Sequence, residues 1–198
     1  MLILWKERLA ILAVPKTGTT ALEEALAPHA AVAVARPPHL KHMPLRRFDR
    51  FIRPWLAKSG LENIETVAVM REPLSWLGSW YRYRRRDQIR GSERSTAGVT
   101  FDQFIDAYLM GEDRPEYANV GAQLRMIAGA DGAPGVDHLF AYENLGALRE
   151  FLQRRTGRAI TLGRSNVSPE MPLALEAARE ARLRRALAAD FAAWSALA

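Results

Sequence analysis

The run Leu9–Val14, LAILAV, is apolar throughout and stops at Pro15-Lys16-Thr17-Gly18-Thr19-Thr20. Helix-forming residues follow from Thr20 to Leu26 with apolar positions at helical spacing, and Pro28 ends them. The same design recurs later. Glu65–Met70, ETVAVM, is short, apolar and β-branched, and Pro73 stands in the first turn of the next helix, where a missing N–H costs nothing. Strands that alternate with helices predict a parallel sheet with helices packed on both faces.

The rest of the chain fits that plan. Leu2–Trp5 and Leu9–Val14 flank a charged tip, Lys6-Glu7-Arg8, and read as a hairpin. Ala31–Ala35 is a weak second strand, broken by Pro37-Pro38. Leu45–Ala57 is helical with a boundary or kink at Pro54, and the helix opened by Pro73 runs to about Arg86. A polar loop covers residues 90–98. Helices are expected at Phe101–Met110, Gly121–Ile127 and Leu145–Arg155, and a strand at Asp137–Tyr142. A final helix runs from about Leu173 to the end and breaks near Asp190. With 198 residues, and neither a repeat nor a low-complexity linker, one α/β domain spanning residues 1–198 is expected.

Composition narrows the chemistry. Apolar residues make up 48 %, which argues against disorder. The absence of cysteine excludes a disulfide scaffold, a thiol nucleophile and a cysteine-ligated metal. No stretch approaches the roughly 20 apolar residues of a membrane span, and Lys6-Glu7-Arg8 interrupts the N-terminal apolar run as no signal peptide would. The expectation is a cytoplasmic protein without an integral membrane segment. Lys and Arg number 28 against 22 Asp and Glu, a net charge of +6 that favours anionic partners. Much of the excess is arginine, which suits oxyanions.

The loop at 15–20 is built for an anion. A helix start presents unpaired N–H groups and the positive end of the helix dipole. Gly18 lets the backbone turn and approach a ligand. Thr19 and Thr20 can cap the helix or bind an oxyanion, and Lys16 adds a full charge. The order differs from the nucleotide P-loop, in which lysine follows the second glycine. A plain strand-to-helix turn with a threonine cap is the alternative for these residues.

Pro15-Lys16-Thr17-Gly18-Thr19-Thr20 after a strand resembles the 5′-phosphosulfate loop of sulfotransferases that use 3′-phosphoadenosine 5′-phosphosulfate (PAPS). The resemblance implies that this loop clasps the 5′ end of the cofactor, with Lys16 on the bridging oxygen. Arg71, Pro73, Ser79 and Tyr81 resemble the family's second motif, in which an arginine ends a strand and a serine eight residues on completes a 3′-phosphate site. The likeness is closest to the Golgi-type carbohydrate sulfotransferases and their bacterial relatives. It implies a single P-loop NTPase-like α/β domain, transfer of a sulfuryl group to a hydroxyl or amine, and 3′-phosphoadenosine 5′-phosphate (PAP) as product. It calls for no metal.

Transfer needs a general base, and histidine is the usual one near neutral pH. His29 and His138 read as surface and structural residues. His39 and His42 lie in the loop after the second strand, a region where the resembling family can place a catalytic base. His42 is the first candidate and His39 the second, with a carboxylate as the remaining choice. FAYENL at 140–145 is similar to a strand-end motif of the family, and Glu143 reads as structural, capping the following helix. RSNVSP at 164–169 is similar to a late loop that closes over the cofactor and adds Arg164, Asn166 and Ser168 as cofactor candidates. The late Lys-Gly motif of the small-molecule branch is absent, and the chain is short. That leaves a minimal acceptor site, one shared across a homodimer, or lost activity. The expected acceptor is a small molecule, carbohydrate or lipid. The competing readings are a P-loop kinase-like phosphotransferase and an inactive nucleotide- or nucleic-acid-binding protein. The first lacks the glycine–lysine order and a Mg²⁺-binding Asp. The second would use the arginines at 82 and 84–86, a run whose other readings are a solvated helix face and a basic rim for anions.

Overall fold

The computed structural model describes residues 1–163, 171 and 173–197. Strands β1 (Leu2–Leu4) and β2 (Leu9–Ile11) form the expected hairpin, closed by Arg8 N–H donating to the Trp5 carbonyl at 3.2 Å. Helix α1 (Thr19–Leu26) leads to β3 (Val32–Ala33). After the short α2 (Pro38–Lys41) come α3 (Leu45–Arg47), a π-helical turn Phe48–Ile52 and α4 (Arg53–Lys58). Strand β4 (Glu65–Met70) feeds α5 (Pro73–Arg84). Helices α6 (Phe101–Tyr108) and α7 (Gln123–Ile127) precede β5 (His138–Ala141) and α8 (Leu145–Thr156), and α9 (Ala177–Ala186) and α10 (Ala188–Ser195) follow.

The sheet runs β3-β1-β2-β4-β5. It is mixed, which corrects the wholly parallel expectation. β2, β4 and β5 are parallel neighbours, but β1 is antiparallel to both β2 and β3. The reason is local: a tip of a few residues between β1 and β2 can only return the chain antiparallel, whereas a parallel partner needs a long crossover.

Side chains alternate across this sheet, and both faces are buried. Leu2, Leu4, Leu9, Ile11, Val67 and Val69 face a layer containing Leu22 and Leu26 of α1 and Leu148 and Leu152 of α8. Ile3, Ala10, Ala68 and Met70 face Leu45, Phe48, Leu56 and Ile127. A third cluster joins α5, α6 and α9 through Trp76, Tyr81, Phe104 and Leu183.

The boundary expected at Pro54 is present, and the boundaries expected near Gly121 and Asp190 shift by a few residues. Pro54 has no N–H to continue the helical ladder, and Arg53 N–H reaches back to Phe48 in a π-turn just before it. Gly121 takes a left-handed φ of 75°, so α7 starts only at Gln123. The C-terminal break falls at Leu187 (φ −107°, ψ 28°) rather than at Asp190. Asp190 is buried and accepts Leu124 N–H at 3.1 Å, which ties α10 to the start of α7. Among the described residues, no helix is long and apolar enough to cross a membrane.

Candidate functional site

The parallel strands β2 and β4 end side by side, and the loops that leave them meet. Arg71 donates through Nη1 to the carbonyl of Lys16 at 3.4 Å, and Trp76 Nε1 donates to the carbonyl of Pro15 at 2.8 Å. The junction opens into a cleft of about 2410 Å³ whose walls include Lys16, Thr19, Thr20, His42, Arg71 and Ser79.

The first loop turns through two left-handed residues, Lys16 (φ 67°) and Gly18 (φ 78°). Such a φ is unusual for lysine and marks a backbone held by its surroundings. A side chain at 18 would also approach the Tyr142 ring to 3.5 Å. Gly18 is the N-cap of α1, and no side chain caps that helix. This corrects the expectation that Thr19 or Thr20 would do so, and it leaves the first-turn N–H groups uncapped beside the cleft. Thr17 departs from the sequence-based assignment. Its hydroxyl is buried and donates to the Val14 carbonyl at 2.8 Å, so it braces the loop and its side chain does not line the cleft.

The Lys16 ammonium lies 4.1 Å from the Tyr83 ring centroid and 5.5 Å from that of Trp80. Burial, followed by the cations Arg86, Arg71 and Arg82, lowers its pKa from 10.5 to about 8. The charges that shift it most, after burial, are all positive. Burial also lowers Arg71 and Arg82. Concentrated, partly desolvated positive charge of this kind calls for an anion.

Arg71 is held from several sides. Its Nε donates to Ser75 Oγ at 2.9 Å, and its guanidinium sits 4.4 Å from the Tyr142 ring centroid. Gln123, only 1 % exposed, pairs with the Arg71 backbone. The neighbouring acids Glu72 and Glu143 favour the charge of Arg71 through space but make their hydrogen bonds elsewhere. Glu72 caps α5 through Ser75 N–H at 2.5 Å, and Glu143 accepts from Glu72 N–H and from Trp194 Nε1, both at 3.0 Å. Glu143 is thus structural as expected, but it serves the start of α5. Asn144 caps α8. Ser79, buried on α5, borders the cleft with Arg71, although it is Ser75 that orients the guanidinium.

His42 follows α2 and is anchored to the end of the β2 segment. Its Nδ1 lies 2.7 Å from the Ala13 carbonyl. A carbonyl only accepts, so Nδ1 carries the proton and Nε2 of the neutral ring keeps its lone pair. Burial, with help from Lys41, lowers the pKa of the ring despite the opposing pull of that hydrogen bond. His39 is exposed on α2 and is not among the residues that line the cleft. His29 is exposed, and His138 pairs with Glu65 at 2.5 Å. Arg164, Asn166 and Ser168 lie outside the described residues.

The arginine run divides. Arg82, Arg84 and Arg86 all line the cleft. Arg84 is buried and donates to the carbonyls of Glu116 and Asn119, so it is a structural tie. Arg85 donates to the Tyr81 hydroxyl at 3.2 Å. Sequence reasoning missed Gln123, Ser75 and Tyr142. The YENL stretch placed Tyr142 at a strand end, a usable signal, but nothing local marks Gln123.

No protein-family model, curated protein or solved structure matches the chain.

Proposed function

We propose that the protein is a sulfotransferase that moves a sulfuryl group from PAPS to an acceptor hydroxyl. The observation that carries this reading is the meeting of the two strand-to-helix loops. Lys16 and Arg71, the residues with which the sequence motifs would grip the two charged ends of PAPS, border one cleft together with a neutral histidine.

The donor set fits such a ligand. Lys16 and the uncapped N–H groups of α1 would hold the 5′ phosphosulfate, and Arg71 with Ser79 the 3′-phosphate. The 2410 Å³ of the cleft exceeds the roughly 300–1,000 Å³ of a site for one small molecule, which leaves space for an acceptor beside a nucleotide. PAPS supplies an activated sulfuryl group and a phosphate leaving group. His42 Nε2 takes the acceptor's proton, since its lone pair is free while Nδ1–H is fixed on Ala13. Lys16 and the helix N–H groups stabilise the charge that develops on the leaving oxygen, as preorganised donors do in related group transfers.

The test is PAP release from PAPS in the presence of sugar, lipid and small phenolic acceptors. Release that depends on an acceptor and disappears in Lys16→Ala is expected. Release untouched by Lys16→Ala, or none with any acceptor, would count against the proposal.

A further inference from the structure

The segment from Leu45 to Lys58 buries one side and exposes the other. Leu45, Phe48 and Leu56 are buried in the core, and Ile52 packs beside them. The opposite side is a stripe at helical spacing, residues 46, 47, 50, 51, 54, 55 and 58, all exposed. It carries Arg46, Arg47, Arg50 and Lys58, with Phe51 and Trp55 among them at 53 % and 52 % exposure. The segment's one acid, Asp49, is ion-paired with Arg53 at 2.8 Å and leaves the stripe's charge uncompensated.

Two large rings one turn apart on an exposed face need an explanation beyond chance exposure. The Arg50 guanidinium lies 5.1 Å from the Phe51 ring centroid, yet both rings remain about half in solvent. Arg46 is fixed in place by donating to the Gly129 carbonyl at 2.9 Å. Exposed aromatic rings can sit at the headgroup level of a bilayer, and Arg or Lys beside them can engage anionic lipid. Single-stranded nucleic acid also uses rings and cations, but along a groove that tracks the strand. This stripe lies on the outer side of one helical segment, away from the cleft.

We infer that the stripe seats the protein peripherally on an anionic lipid bilayer, with Phe51 and Trp55 entering the headgroup layer and the four cations engaging lipid phosphates. The inference goes beyond the transfer reaction and does not depend on it.

The experiment is co-flotation of the full chain with phosphatidylcholine vesicles, with and without phosphatidylserine, at low and high salt. Binding only to the phosphatidylserine vesicles, weakened by salt, is expected. Each cation near such a surface contributes about fivefold, so Arg47→Gln/Arg50→Gln should weaken partitioning roughly 25-fold. Phe51→Ser/Trp55→Ser should weaken it with no change in charge. Both pairs are exposed, and an unchanged thermal midpoint checks that they fold. Trp55→Phe should still bind but lose the blue shift of tryptophan emission seen for the parent on vesicles. Failure of the parent to bind, or equal binding by both double variants, overturns the inference. So does an effect of these variants only on self-association or only on RNA binding, which would give the stripe to a second copy or to nucleic acid.

Discussion

Gln123 pairs with the backbone of Arg71 as a second strand would. Its Oε1 accepts Arg71 N–H at 2.9 Å, and its Nε2 donates to the Arg71 carbonyl at 2.7 Å. The bond pair fixes the residue where β4 ends and the cleft begins. Removing a partner from a buried polar group costs about 1–3 kcal/mol. Gln123→Ala strands two such groups and is expected to lower stability by about 2–4 kcal/mol, read from urea unfolding. Gln123→Glu keeps the acceptor but sets a buried carboxylate against the Arg71 carbonyl, so it should also be destabilising. A stability loss below about 0.5 kcal/mol in Gln123→Ala would mean that the pairing does not hold the strand end.

Lys16 is expected to destabilise the unliganded protein. Its folded pKa, about 8, lies below the ordinary 10.5. Between those values the unfolded chain binds more protons than the native one, so this group makes stability rise with pH across that window. Lys16→Met keeps the stem, removes the charge and should raise stability at neutral pH by about 1–3 kcal/mol. The same variant should lose anion affinity. Thermal melts of both proteins at neutral pH and near pH 10 check this, and the gap between them should narrow as pH rises.

His42 and Lys16 together shape the pH dependence of turnover. The base must be neutral and the lysine charged. Activity in kcat/KM should therefore fall at acid pH through a pKa below the usual 6.5 of histidine, and again at alkaline pH through about 8. His42→Gln should lower kcat by about 10²–10⁴-fold, abolish the acid limb and leave PAP affinity unchanged. An acid limb that survives in His42→Gln would assign the base to a carboxylate.

How much of this was legible in the sequence differs from element to element. β4 was readable to the residue because five of its six side chains, all but Glu65, are buried on both faces and carry one consistent signal. The hairpin was legible from its charged tip. Its consequence, an antiparallel strand inside the sheet, required knowing that β3 pairs with β1 and not with β2. At the site, Lys16, Gly18, Arg71, Ser79 and His42 stand out because each sits at a strand end or in the following loop, where chain order and space coincide. Gln123 is 52 residues from Arg71, and its role exists only after the fold brings α7 under β4. Thr17 is the opposite case: among three threonines in one loop, sequence cannot say which hydroxyl turns inward. Phe51 and Trp55 were hidden inside an apparently ordinary amphipathic helix, since pattern alone does not say which apolar residues remain outside.

If Arg71 and Lys16 hold the two ends of one nucleotide, calorimetric titration with PAP beside AMP should show micromolar binding of PAP and much weaker binding of AMP. Arg71→Ala should lose about 10–100-fold in PAP affinity, the worth of a charge-assisted hydrogen bond, and should erase the preference for the 3′-phosphate. Equal binding of PAP and AMP by the parent, or PAP affinity unchanged in Arg71→Ala, would contradict it.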